Sequence, residues 1–165
     1  MRKFAVIGAA LALLAGTIAA MSIASASAAP KHAAADSVKV LHLISRQKSL
    51  QVIDIGTKGP SPGDQIIETT LDFQNGKPVD RSVINCVDIT VSKSGFEVLC
   101  HGAMIFNNGQ VEIQGETNFH EPFTVAVTGG TGAYQNVGGQ VTAVRTLPDG
   151  TTDVLTLRLV FFETG

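Results

Sequence analysis

Short runs of alternating apolar and polar residues follow one another from residue 38 onwards. Such alternation is typical of strands with one buried face, because successive side chains point to opposite sides of a sheet. The runs span residues 38–45, 50–55, 64–74, 82–91, 96–106, 110–117, 123–128, 139–146 and 152–162. No segment shows a sustained helical period, so an all-β domain is predicted.

Residues suited to tight reversals stand between these runs. They are Gly59-Pro60-Ser61-Pro62-Gly63, Asn75-Gly76-Lys77-Pro78, Asn107-Asn108-Gly109 and Pro148-Asp149-Gly150. Glycine, proline and asparagine favour turns, and short connections favour antiparallel neighbours. The eight or nine runs therefore predict an eight-stranded antiparallel up-and-down barrel of the calycin-like type. A β-sandwich is the alternative.

A glycine-rich segment, Thr128 to Tyr134, lies between two predicted strands. Gly129, Gly130 and Gly132 permit close approaches and backbone conformations that other residues resist, so we predict a demanding strand-to-strand turn here. A phosphate-binding loop is disfavoured because no helix follows and neither a P-loop nor a G-x-G-x-x-G motif is completed. Tyr134, the single tyrosine, is expected to pack or hydrogen-bond across the barrel end.

The N-terminus has the pattern of a secretory signal peptide. Arg2 and Lys3 precede an apolar run, and the stretch from Ala24 to Ala28 offers small-residue cleavage sites. We predict a signal peptide at residues 1–28, a disordered leader at 29–37 and one barrel domain at 38–165. The mature protein is then secreted, with no membrane contact; a retained membrane anchor is the alternative.

Size and charge narrow the classes of function. Cleavage would leave 165 − 28 = 137 residues, enough for one core. Loss of two basic residues changes the count from 12 to 10 against 14 acidic ones, a net charge of 10 − 14 = −4, which disfavours nucleic-acid binding. The four histidines lack ligand-like spacing and two cysteines alone cannot complete a zinc site, so no metal is predicted.

Cys86 and Cys100 are the only cysteines of the chain. In an oxidising compartment an even number suggests a disulfide, and an antiparallel hairpin of residues 82–91 and 96–106 would bring the two together. A turn at 92–94 would place them opposite each other, whereas a turn at 93–95 would offset them by two residues. Two buried free thiols are the alternative.

Alternation sorts side chains by face without showing which face is inside. An eight-stranded barrel either fills its interior with side chains or holds one small ligand there. The side chains predicted to bind such a ligand are Phe96, Val98, Met104, Phe106 and Tyr134.

Several short motifs, taken in order, carry a family resemblance. They are Gly63-Asp64, Leu71, Asn75-Gly76-Lys77, Arg81-Ser82 before Cys86, Cys100, the stretch 109–115, the stretch 127–134 and Gly139-Gln140-Val141. Over roughly residues 63–161 the chain resembles the dirigent and allene oxide cyclase barrel proteins, as a bacterial-type secreted member. The glycine-rich block followed by Gly139-Gln140-Val141 is the most specific part of the resemblance.

The resemblance implies a barrel, often trimeric in plants, whose apolar cavity steers a small molecule that is already reactive, without a cofactor. Dirigent proteins guide the coupling of phenoxy radicals made by a separate oxidase; allene oxide cyclases fold an unsaturated epoxide before it closes. Some bacterial relatives are cyclases of polyketide-like substrates. Leu41-His42-Leu43-Ile44 lacks the glutamate and asparagine that the first strand of the cyclases presents, which argues against true allene oxide cyclase activity.

Candidate catalytic residues are few. Asp88 shares a face with Cys86 and would act as an acid if that face is inside, because burial raises a carboxyl pKa; on an outer face it is merely solvated. His42 is either a polar group in the cavity or a solvent-facing histidine. Cys86 matches a cysteine near the cyclase pocket, although a bridge to Cys100 would be structural. Glu68 and Asp72 alternate with apolar residues in the manner of a wet outer face.

The leading hypothesis is a secreted barrel that binds a small hydrophobic or phenolic molecule and steers its stereoselective cyclisation or coupling. Whether it is an enzyme stays open; if so, it is a cofactor-free cyclase or isomerase. The alternatives are a non-catalytic carrier of an apolar ligand and a filled structural barrel that acts through its surface. A separate oxidase and a homo-oligomer are the partners that the resemblance adds.

Overall fold

A computed structural model describes residues 35–93, 95–119, 122–146 and 150–163. These residues form eight antiparallel strands that close into a barrel, with each strand beside its neighbours in sequence and β8 beside β1. The strands are β1 (Ala35–Ile53), β2 (Gln65–Gln74), β3 (Lys77–Ser92), β4 (Gly95–Phe106), β5 (Gly109–Thr117), β6 (Phe123–Gly132), β7 (Val137–Arg145) and β8 (Thr152–Phe162). The predicted fold class is confirmed.

Some predicted features fall outside the described residues. The signal peptide at 1–28 lies there entirely, as does the leader at 29–37 except for residues 35–37, which belong to β1. Within the described ranges, no helix is long and apolar enough to cross a membrane.

The first strand differs from its prediction. The runs 38–45 and 50–55 were expected as two strands, but β1 continues through the polar residues between them. It pairs with β8 up to Arg46 and with β2 from Ile44 onwards, and its register shifts between Gln47 and Ser49. Such a bulge bends a strand without ending it. The first part of β1 therefore pairs with β8 and the later part with β2, so that the nine predicted runs form eight strands.

The hairpin of β3 and β4 places the two cysteines directly opposite each other. Its connection is shorter than either predicted turn, since only residues 93–94 lie between the strands. A register shift between Asp88 and Thr90 adds one residue to β3 and restores the direct pairing of Cys86 with Cys100.

The glycine-rich segment also differs from its prediction. Gly129, Gly130 and Gly132 are the last residues of β6 and pair with β5, while the turn itself runs from Ala133 to Asn136. Gly130 has no room for a side chain, because a Cβ atom there would lie 2.5 Å from the carbonyl oxygen of Tyr134. The glycines thus allow the end of β6 to lie against the turn that follows.

The connections divide the barrel into two ends. The closed end holds the short turns β2–β3, β4–β5 and β6–β7, including Asn75-Gly76, both with positive φ as a tight hairpin turn requires. The open end holds the connections β1–β2, β3–β4, β5–β6 and β7–β8, three of which are longer. Between the ends, buried apolar side chains of β1 and of β4 to β8 form one cluster, and Val79 and Ile84 of β3 pack against it.

Candidate functional site

The interior holds a cavity of about 80 Å³ that reaches the open end. This volume is small, equivalent to sites for roughly five to eight water molecules. Its apolar wall includes Ile66, Ile84, Met104, Ile113, Phe119, Phe123, Val125, Val141, Ala143 and Leu155. Its polar lining consists of Glu68, Thr70, Ser82, Thr117, Arg145 and Asp153. The interior is therefore neither completely filled nor uniformly apolar.

One wall of the cavity is the disulfide between Cys86 and Cys100. The predicted bridge is confirmed, and no described cysteine is free. Both sulfur-bearing residues are buried and pack with Val98, Ile66 and Ile84. The bridge joins the two strands next to the space in which a ligand would lie.

The mouth of the cavity carries charged groups. Arg145 and Asp153 lie opposite each other on β7 and β8, and Arg145 Nε is 3.3 Å from Asp153 Oδ1. Glu68 lines the same space, and burial raises its pKa, with a further contribution from the charge of Asp153 and an opposing one from Arg145. Glu68 is therefore the carboxyl group best placed to hold or release a proton beside a ligand at the mouth.

The opposite end of the cavity rests on a group of four polar side chains that we call the carboxyl floor: Thr70, Asp72, Asp80 and Ser82. Thr70 pairs with Ser82 across β2 and β3, and both line the cavity. Asp72 and Asp80 pair with each other one step nearer the closed end. Asp72 accepts hydrogen bonds from Thr70 Oγ1 at 2.8 Å and from Ser82 Oγ at 2.6 Å.

Asp80 completes the carboxyl floor as a protonated acid. Burial, followed by the nearby carboxyl group of Asp72 and its negative charge, raises the pKa of Asp80 to about 9. Neither carboxyl oxygen of Asp80 accepts a hydrogen bond from the described residues. Two ionised carboxylates that face each other would repel, and a proton on Asp80 removes this repulsion. At neutral pH the pair therefore carries one negative charge.

Aromatic rings fill the closed end beyond the carboxyl floor. The ring of Tyr134 lies 4.8 Å from that of Phe106 and 6.5 Å from that of Phe161, measured between centroids. The ammonium group of Lys39 lies 5.7 Å from the Tyr134 centroid. Tyr134 and Phe106 thus seal the barrel and do not line the cavity.

The other predicted ligand-binding residues take different places. Met104 lines the cavity, and Val98 is fully buried beside the disulfide. Phe96 lies at the rim of the open end, 40% exposed, where its ring contacts that of Phe119 at 5.9 Å. Of the five predicted residues, the structure brings only Met104 into the cavity wall.

The two predicted catalytic candidates lie away from the cavity. Asp88 lines a separate rim pocket of about 290 Å³ together with Asp64 and Phe96. Its carboxyl is buried, and that burial, followed by the charge of Asp64, raises its pKa. His42 lies exposed on the outer face, with Nδ1 3.2 Å from Thr156 Oγ1. It does not contribute a polar group to the cavity.

Two acidic residues of β2 lie where the sequence did not predict them. Glu68 and Asp72 were expected on a wet outer face, but they point into the barrel. The two-residue turn Asn75-Gly76 would by itself pair Asp72 with Val79, and a register shift between Asp72 and Phe73 pairs Asp72 with Asp80 instead. The sequence therefore carried no local signal for this pair of carboxyl groups. Within the described ranges, no three His, Cys, Asp or Glu side chains form a group that could hold a metal ion.

Comparison with known proteins supports the fold. No family profile and no curated protein sequence matches this chain. Solved structures do match. A pyocyanin demethylase has a TM-score of 0.66 at 24% identity, over 73% of this chain and 99% of its own.

Two further structures have related architectures and lower identities. A Diels-Alderase from Streptomyces koyangensis has a TM-score of 0.62 at 16% identity, over 78% of this chain and 70% of its own. A pterocarpan synthase dirigent protein has a TM-score of 0.59 at 17% identity, over 79% and 98%. At these identities the likeness establishes that the chain shares the barrel fold of dirigent proteins and of cycloaddition enzymes.

Proposed function

We propose that this protein is a secreted dirigent-like barrel that binds a small hydrophobic or phenolic molecule and steers its stereoselective cyclisation or coupling. The observation that carries the proposal is the cavity, in which an apolar wall meets polar groups at both ends. Sites of this composition bind small molecules, with the apolar wall supplying affinity and the few polar groups fixing orientation. The disulfide supports an oxidising, extracellular location.

A cavity of this kind controls stereochemistry by limiting conformations. A reactive molecule held between the disulfide wall and the β7–β8 wall can close or couple in fewer ways than in water, which lowers the entropic part of the barrier. Glu68 is positioned to exchange a proton with a ligand at the mouth. Fold neighbours that act in cycloaddition and as a pterocarpan synthase support this class of function. A separate oxidase and a homo-oligomer stay predictions.

The first experiment is ligand-dependent thermal unfolding of the mature protein with a panel of small phenols and apolar compounds. Selective binding to the folded state must raise the melting temperature. Ala143→Leu, which adds three carbon atoms to the cavity wall, should abolish the shift. Ala126→Leu, on the outer face of β6, is the matched control and should retain it.

Analysis of the reaction products then distinguishes a steering function from a carrier function. The protein is incubated with a reactive precursor of the compound class that binds, and the enantiomers formed are resolved by chiral chromatography. An enantiomeric excess that disappears in Ala143→Leu supports steering. A racemic product despite selective binding would favour the carrier, and no shift with any compound would refute both ligand functions.

A further inference from the structure

The carboxyl floor has a fixed hydrogen-bond direction. The hydroxyl groups of Thr70 and Ser82 each possess one proton, and both protons are donated to Asp72. A hydroxyl oxygen that has donated its proton still has lone pairs with which it can accept. Because Thr70 and Ser82 line the cavity, the floor presents acceptors, and no donor, to whatever lies against it.

The buried carboxylate of Asp72 keeps this direction in place. Asp72 is fully buried and accepts from both hydroxyl groups, Thr70 at Oδ1 and Ser82 at Oδ2. A carboxylate that accepts one hydroxyl proton at each oxygen has no tendency to release either proton towards the cavity. The net negative charge of the pair also disfavours a ligand carboxylate or an electron-rich carbonyl at this position.

We propose that the carboxyl floor selects ligands bearing a hydroxyl group, such as a phenol or an enol, which donates its proton to Ser82 or Thr70. This inference rests on the proposed function and specifies the class of ligand. The hydroxyl-bearing end of the molecule points towards the closed end, and the remainder extends along the apolar wall towards Arg145. Ethers, ketones and aldehydes of the same shape lack the donor, so the hydroxyl oxygens of Thr70 and Ser82 accept no hydrogen bond from them.

The test compares phenol with anisole and benzaldehyde, using calorimetric titration of the mature protein. One lost hydrogen bond at a buried site corresponds to about a tenfold loss of affinity, so phenol should bind about tenfold tighter than anisole. Ser82→Ala should reduce that preference. Thr124→Val removes an outer-face hydroxyl that is bonded to Thr142, and it should leave the preference unchanged.

Asp72→Asn provides the sharper variant because it reverses the direction of one hydrogen bond. The introduced amide donates to one floor hydroxyl, which is then able to donate its own proton to a ligand. Affinity for benzaldehyde should therefore rise relative to phenol, by about tenfold in the ratio. A purely structural role of Asp72 would lower both affinities together and leave the ratio unchanged.

Infrared spectroscopy of the ligand-free protein tests the protonation of the carboxyl floor independently of ligand binding. At pH 7 a neutral carboxylic acid band should be present and should lose intensity in Asp80→Asn. Unchanged intensity in Asp80→Asn overturns this inference. Equal binding of phenol and anisole overturns it too, while the proposed function stands. Failure of all three compounds to bind overturns both proposals.

Discussion

The two ends of the barrel are built in different ways. The closed end has short turns, stacked rings around Tyr134 and a buried pair of carboxyl groups. The open end has longer connections and leaves a cavity flanked by Arg145 and Asp153. Close packing makes a structure sensitive to small changes in volume. Substitutions at the closed end should therefore alter stability first, and those at the open end should alter binding first.

The largest effect is expected at Gly130. A Cβ atom there would lie 2.5 Å from the carbonyl oxygen of Tyr134 and 2.6 Å from that of Gln110, and backbone atoms cannot move aside cheaply. Gly130→Ala should lower the free energy of unfolding by about 3 kcal/mol. Denaturant titration measures this value.

The adjacent glycine is the matched control. A Cβ atom at Gly129 would meet nothing within 4 Å. Gly129→Ala should therefore be neutral, or stabilise by up to about 1 kcal/mol through the unfolded chain. Equal losses in the two variants would contradict the close-approach explanation of the glycine-rich segment.

A smaller effect of opposite sign is expected at Asp80. Its pKa is raised to about 9 in the folded protein, so between about pH 4 and pH 9 the folded state binds more protons than the unfolded state. The free energy of unfolding contributed by this group therefore falls as pH rises through that window. Asp80→Asn removes this penalty because an amide does not ionise in this pH range.

Asp80→Asn should raise the melting temperature at pH 8 by about 3 °C, equivalent to about 1 kcal/mol for a domain of this size. The difference from the wild type should shrink towards pH 4. Glu116→Gln, on the exposed face of β5, should show neither change. A pH-independent difference would show that Asp80 is not the proton-binding member of the pair.

The smallest effect on stability is expected at the mouth. The ion pair of Arg145 with Asp153 joins side chains that are 35% and 21% exposed, and such pairs contribute less than about 1 kcal/mol. Arg145→Gln should leave the melting temperature within about 2 °C of the wild type. It should change ligand affinity, because Arg145 lines the cavity. Arg158→Gln, on the outer face, should change neither quantity; a large loss of stability in Arg145→Gln would remove the contrast between the ends.

The pattern of the sequence predicted much of the fold and little of the site. Eight strand regions, their tight turns and the bridge between Cys86 and Cys100 follow from alternation, glycine positions and cysteine number. The site depends instead on which face of each strand points into the barrel and on where along the barrel a residue lies. Three apolar residues on one face of β4 were predicted to bind a ligand, and they lie in three different places. Met104 lies in the cavity wall, Phe106 at the closed end and Phe96 at the rim.

The sequence by itself determined that this chain makes short paired strands, because period-two alternation and turn residues act over a few positions. Only the closed barrel decided which face is inside. Alternation is unchanged when a strand is turned over, so Asp72 among apolar neighbours fits either face. The shifted register of the β2–β3 hairpin places Asp72 against Asp80, and closure of the barrel buries both beneath the cavity, where burial raises the pKa of Asp80.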